Sequence, residues 1–144
     1  MKTKVFFLQE DENIKLYEYI NENVVFLNGE LASGKTTLVS NILSKLCKER
    51  DIYFKTTSPT FSILNTYNLG DMKVYHYDFY QKEYSQILSN GLFETFFEDG
   101  LHFIEWGDEN LKKLLQNYDI KYITINISKI EGKNDKRKYE IIYE

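Results

Sequence analysis

The chain has 144 residues, of which 42% are hydrophobic and 16% aromatic, too apolar for a disordered polymer and long enough to bury a sizeable core. Its formal net charge of −4 argues against a protein whose main task is to grip nucleic acid, although a partner subunit can do the gripping. Length suggests one domain over residues 1–144.

No apolar run approaches membrane-spanning length, and the N-terminus has no signal-peptide core. Cys47 is the only cysteine, so no disulfide forms within the chain, which fits a reducing cytoplasm. It reads as a half-buried helix residue. Two distant histidines and one cysteine offer no zinc pattern.

In chain order, Lys2 to Leu8 reads as a first strand. Gln9 to Asn13 is a polar turn with helix-start character, and Ile14, Leu16, Tyr17 and Ile20 then share a face at helical spacing. Val24 to Leu27 has the look of a buried parallel strand. After a loop at Asn28 to Ser33, Gly34 to about Glu49 is a helix with Leu38, Ile42, Leu43 and Leu46 inward. Asp51 to Lys55 suggests a short strand and Thr56 to Thr60 a loop. Phe61 to Asn68 and Lys73 to Tyr77 form a hairpin through Leu69-Gly70-Asp71. Lys82 to Leu88 and Gly91 to Phe97 are short helices. Within them, the aromatic stretch Leu92 to Phe97 reads as core in preference to interface. Leu101 to Ile104 is an apolar strand, Asp108 to Gln116 a helix, and Ile120 to Ser128 a strand of period two. Glu131 to Lys136 is a charged turn before a last strand, Lys138 to Tyr143. The sum is a three-layer α/β chain with a mainly parallel central sheet and antiparallel additions, and the motif G-x-x-x-x-G-K-[ST] at Gly29 to Thr36, between strand and helix, makes the expected architecture a P-loop NTPase fold.

Gly29-Glu30-Leu31-Ala32-Ser33-Gly34-Lys35-Thr36 matches G-x-x-x-x-G-K-[ST] in full. The two glycines permit backbone angles that other residues resist. Loop N–H groups and the positive end of the following helix then converge on phosphate oxygens. Lys35 is expected to reach the β and γ phosphates of ATP, or the β phosphate of ADP, and Thr36 to offer its hydroxyl to Mg2+. Thr37 completes the binding segment.

Such a site also needs a carboxylate for the metal and a group that positions water. Glu105 and Asp78 end apolar strands, where α/β sheets keep their ligand sites. With Lys35 they are the candidate catalytic residues; with Thr36 they are the candidate metal ligands. Trp106 reads equally as packing or as a contact to nucleotide or partner. His76 and His102 read as satisfied strand residues. Ser58, Pro59, Thr60 and Phe61 form a candidate switch loop whose hydroxyls can sense the γ phosphate, or an ordinary turn. Arg50 and Arg137 are the only arginines, and neither falls in a phosphate-facing motif. That scarcity predicts slow ATP hydrolysis by the chain alone.

Four blocks in series resemble the TsaE (YjeE) family: Gly29 to Thr37, Ser58 to Phe61, Tyr75-His76-Tyr77-Asp78-Phe79-Tyr80-Gln81 and Glu105-Trp106-Gly107. The resemblance covers about Val5 to Gly107. It implies Thr36 and Glu105 as Mg2+ ligands, Asp78 near the metal or its water, a switch-like loop at Ser58 to Phe61 and, weakly, nucleotide contacts from Gln9 to Asp11. It further implies an ATPase that acts with the partner proteins TsaB and TsaD, meeting tRNA indirectly, in placing threonylcarbamoyl on the adenosine beside the anticodon. Departures from the family pattern are Ala32-Ser33 for Gly-Ala, Gln81 for arginine, and Gly107 for proline. The rival readings are a small-molecule kinase and a regulatory ATP-binding module without useful turnover.

Overall fold

A computed structural model of the chain describes residues 1–53, 63–89 and 91–144. Seven strands form one sheet: β1 (Lys2–Gln9), β2 (Val24–Asn28), β3 (Leu64–Asn68), β4 (Lys73–Asp78), β5 (Leu101–Glu105), β6 (Tyr122–Ile130) and β7 (Lys133–Tyr143), in the order β1-β7-β6-β2-β5-β4-β3. The central strands β6, β2, β5 and β4 are parallel. The flanking pairs β1–β7, β7–β6 and β3–β4 are antiparallel. The antiparallel additions thus make three of the six junctions, a larger share than expected.

Alternation along β2 explains why helices cover both of its faces. Val25 and Leu27 point into one core, with Leu38, Ile42 and Leu46 of α1 (Lys35–Lys48) and Leu16 of a 3-10 helix, Glu10–Tyr19. Val24 and Phe26 point into another, with Ile87 of α2 (Tyr84–Leu88), Phe96 of a 3-10 helix, Phe93–Phe97, and Leu111 and Leu115 of α3 (Glu109–Asn117). Leu38 and Ile42 are fully buried, so truncating either to alanine costs about 2–5 kcal/mol.

Several boundaries differ from the expectation. The helix after β1 begins at Glu10, within the supposed polar turn, because the Gln9 N–H donates to Glu12 Oε1 at 3.1 Å and stops the strand there. The charged turn shrinks to Glu131-Gly132, with Gly132 at φ +76°. Lys133 to Lys136 belong to β7, where Gln9 of β1 pairs with Lys136. Residues 51–53 form a turn and coil rather than a strand, and 54–55 lie outside the described residues, as do Ser58, Pro59, Thr60 and Phe61. The expected hairpin is present: Gly70 sits at φ +91° and its N–H donates to Asn68 Oδ1 at 2.9 Å. The aromatic stretch divides, with Phe96 buried and Phe97 half exposed. Asp108 caps α3, accepting from the Leu111 N–H at 2.9 Å. Among the described residues no helix is long and apolar enough to cross a membrane.

Candidate functional site

The sheet brings the carboxyl ends of its parallel strands together. β2 runs straight into the phosphate-loop sequence; Asp78 ends β4 and Glu105 ends β5, directly opposite each other in register. One pocket is lined by Leu31, Ala32, Ser33, Gly34, Lys35, Thr36 and Thr37 with Asp78, Glu105 and Trp106, and by Glu10 and Tyr80. Gly29 and Glu30 do not line it.

The loop is tightly made. The Ser33 N–H donates to Glu30 O at 3.1 Å, and Ala32 and Gly34 take φ of +59° and +109°. A Cβ at Gly29 would collide with the Ser33 side chain and stand 2.6 Å from the carbonyl of Ile127 in β6, so glycine is required where the loop leaves the sheet. Ala32 carries the left-handed backbone without that freedom, at roughly 1–2 kcal/mol. From Gly34 the chain enters α1, whose first N–H groups carry the positive end of the helix dipole.

Lys35 is folded back onto its own loop. Its ammonium donates to the carbonyls of Gly29 at 2.7 Å and Glu30 at 2.9 Å, and lies 4.2 Å from the centre of the Trp106 ring. Burial lowers its pKa, and the charges of Glu105 and Asp78 oppose that shift. Trp106 itself has φ +63° and packs against Tyr80, ring centres 5.0 Å apart.

Glu105 is buried, 3% exposed, at the centre of the polar cluster. Thr36 Oγ1 is 3.0 Å from both of its carboxylate oxygens, and His76 Nε2 bonds to Oε2. A carboxylate only accepts, so His76 donates from Nε2. Asp78 is exposed, and its Oδ1 accepts from the Tyr80 N–H at 3.1 Å. A threonine hydroxyl and carboxylate oxygens form a hard donor set that suits Mg2+. Among the described residues no three His, Cys, Asp or Glu side chains converge to cage a metal ion.

The sequence reading missed three participants, His76, Tyr80 and Arg137, and the resemblance implied a fourth, Glu10, only weakly. His76 is a partner of Glu105, not merely a satisfied strand residue. Tyr80 and Glu10 line the pocket. Arg137 donates from Nε to the Ser33 carbonyl at 3.1 Å and pairs with Glu10 at 3.2 Å, so it sits behind the loop although no motif contains it. Arg50 lies elsewhere, forked onto Asp71 at 2.6 and 3.0 Å. His102 is as expected, a satisfied core histidine.

Comparison with known proteins bears on the fold and the family. The chain's fold is similar to that in the crystal structure of Bacillus subtilus YdiB, with a TM-score of 0.65, 21% identity, and coverage of 99% of this chain and 86% of that one. In sequence it is 32% identical to a tRNA threonylcarbamoyladenosine biosynthesis protein TsaE of Rickettsia conorii, over 92% of this chain and 74% of that protein. It is 34% identical to the protein of the same name in a Nostoc species, over 74% and 68%. The family model described as "Threonylcarbamoyl adenosine biosynthesis protein TsaE" matches residues 8–139, and the chain belongs to the TsaE family.

Proposed function

We propose that this chain is the ATP-binding and ATP-hydrolysing subunit of a cytoplasmic system that makes threonylcarbamoyladenosine in tRNA, acting with TsaB and TsaD. The pathway follows from the family and from the relatives' names. One observation carries the nucleotide reading: the loop residues Leu31 to Thr37 share a pocket with Asp78, Glu105 and Trp106.

Each side chain then has a task. Lys35 exchanges the carbonyls of Gly29 and Glu30 for phosphate oxygens, a change from neutral to charged acceptors that favours binding. Loop N–H groups and the start of α1 hold the same phosphates. Thr36 and Glu105, with Asp78 beside them, would hold Mg2+, which supplies charge stabilisation on the phosphoryl oxygens. His76 keeps the Glu105 carboxylate oriented toward Thr36. Asp78, exposed and held by the Tyr80 N–H, is placed to orient water. Trp106 and Tyr80 wall the pocket.

Among the described residues, no arginine lines this pocket. That disfavours a small-molecule kinase, which relies on lid arginines, and supports slow turnover by the chain alone. The test is ATP hydrolysis by the chain, then by the chain with TsaB, TsaD and tRNA, each with Lys35→Ala and Glu105→Gln. Stimulation by partners that both substitutions abolish is expected. Modification of tRNA that persists with both changed would sink the ATPase reading.

A further inference from the structure

Arg137 is 9% exposed, and its guanidinium makes contacts on three sides. Nη1 donates to the carbonyls of Asn134 at 2.8 Å and Lys136 at 3.1 Å, which locks the group to its own strand. Nε donates to Ser33 O at 3.1 Å, across 104 residues of sequence. Nη2 meets Glu10 Oε1 at 3.2 Å.

The Ser33 contact has a directional consequence. In a trans peptide the C=O and the N–H of the same unit point opposite ways. Pinning the Ser33 carbonyl toward β7 therefore turns the Gly34 N–H the other way. Gly34, at φ +109°, leaves the adjoining peptide easy to rotate, so an outside tether is what fixes it. The Glu10 contact concerns charge. Glu10 lines the pocket, and its Oε1 would stand 3.4 Å from a Cβ placed on Gly34. A bare carboxylate there would repel phosphate; Arg137 offsets it.

We infer that Arg137 is a positioning residue of the phosphate loop: from the rear of the pocket it fixes the Ser33–Gly34 peptide for anion binding and cancels the charge of Glu10. This rests on the nucleotide reading above. It ties nucleotide affinity to the β6–β7 hairpin, through the hydrogen bond from Arg137 to Ser33 and its ion pair with Glu10.

The test is ADP binding by calorimetry to the full chain, with thermal melts as the control for folding. Arg137→Gln is expected to weaken ADP by about tenfold or more, as removal of one nearby charge does at intermediate dielectric. In the Glu10→Gln background the same change should cost less than about a third of that factor, because the charge it offsets is gone. Arg137→Lys should recover part of the affinity, since it restores charge without the planar fork. Arg137→Gln binding within about twofold of the wild type overturns the inference, as does an equal loss in both backgrounds, which would make the arginine structural only. If Arg137→Gln does not fold, Glu10→Gln and Arg137→Lys decide: tighter and weaker binding respectively support the inference, and unchanged affinity in both overturns it. A wild-type chain that binds no ADP would instead refute the nucleotide reading.

Discussion

Thr36 Oγ1 lies 3.0 Å from each carboxylate oxygen of Glu105, so one hydroxyl proton is shared between two acceptors. The two side chains come from different elements, one at the start of α1 and one at the end of β5. They satisfy each other here, and in the proposed Mg2+ site both would be ligands of the ion. Glu105→Gln keeps the shape and removes the charge. It is expected to leave ADP binding in the presence of a chelator unchanged or tighter, and to lower Mg2+-dependent ATP hydrolysis by at least about a hundredfold, the equivalent of several kcal/mol. A variant that hydrolyses ATP at the wild-type rate would remove Glu105 from the metal site.

Lys35 and Trp106 give an internal reporter. Trp106 is the only tryptophan, and the Lys35 ammonium rests 4.2 Å from its ring centre. Phosphates that draw the ammonium away from the carbonyls of Gly29 and Glu30 also draw it from the indole. Adding ADP should therefore change tryptophan emission along the calorimetric binding curve. Lys35→Met should weaken binding by about tenfold or more, the worth of charge-assisted bonds, and should shrink the emission change. Emission that stays constant while calorimetry shows saturation would separate Trp106 from the phosphate site.

What the sequence revealed of this site depended on distance along the chain. Gly29 to Thr37 is a local motif: the glycines, the lysine and the helix start are adjacent, so their geometry is readable without a fold. Glu105 and Asp78 were legible at one remove, because a carboxylate at the end of an apolar strand falls at the ligand edge of a parallel sheet. Arg137 was not legible. Its link to Ser33 depends on the register of β7 against β1 and β6, set by 16 residue pairings rather than by any local pattern. The same strand hid its first residues for a different reason. Lys133, Asn134 and Asp135 are exposed and charged or polar, the composition of a loop, and only pairing across the sheet makes them a strand. The start of the 3-10 helix was legible as helix-start character within Gln9 to Asn13, and the reciprocal capping of Gln9 and Glu12 fixes it at Glu10.

Gly107 stands where the family pattern has proline, and the neighbouring core has closed around the missing side chain. A Cβ there would lie 2.5 and 2.7 Å from carbons of the Phe26 ring and 2.9 Å from Ile104 Cγ2. Phe26 and Ile104 are fully buried and cannot simply swing away. Gly107→Ala and Gly107→Pro should each destabilise the fold by about 1–3 kcal/mol, the usual cost of overpacking. Urea unfolding measures this directly. Phe26→Leu in the same chain should return part of the loss by opening space. Equal stability of the wild type and both Gly107 variants would mean that this corner of the core is loosely packed.

His102 should make stability fall with acidity. Its ring is 1% exposed, stacks on Tyr75 with centres 4.4 Å apart, and is bonded at both nitrogens. Nε2 faces the carbonyl of Glu98 at 2.9 Å, an acceptor only, so it carries the proton; Nδ1 is then free to accept from the Tyr77 hydroxyl at 2.9 Å. This is a place for neutral imidazole. Burial accordingly lowers the pKa below its ordinary 6.5, against opposition from the backbone and charge of Glu98. Above pH 6.5 the ring is neutral in both the folded and unfolded chain, and its full contribution is present. As pH falls below 6.5 the unfolded chain takes up the proton first, so stability drops by at most about 1.4 kcal/mol per pH unit until the folded pKa is reached. Carboxylates titrate lower and affect both chains alike, so His102→Gln serves as the reference. Denaturant unfolding between pH 7.5 and 5 should show the wild type losing more stability than the variant. Parallel curves would place the His102 ring in an environment that tolerates its charge.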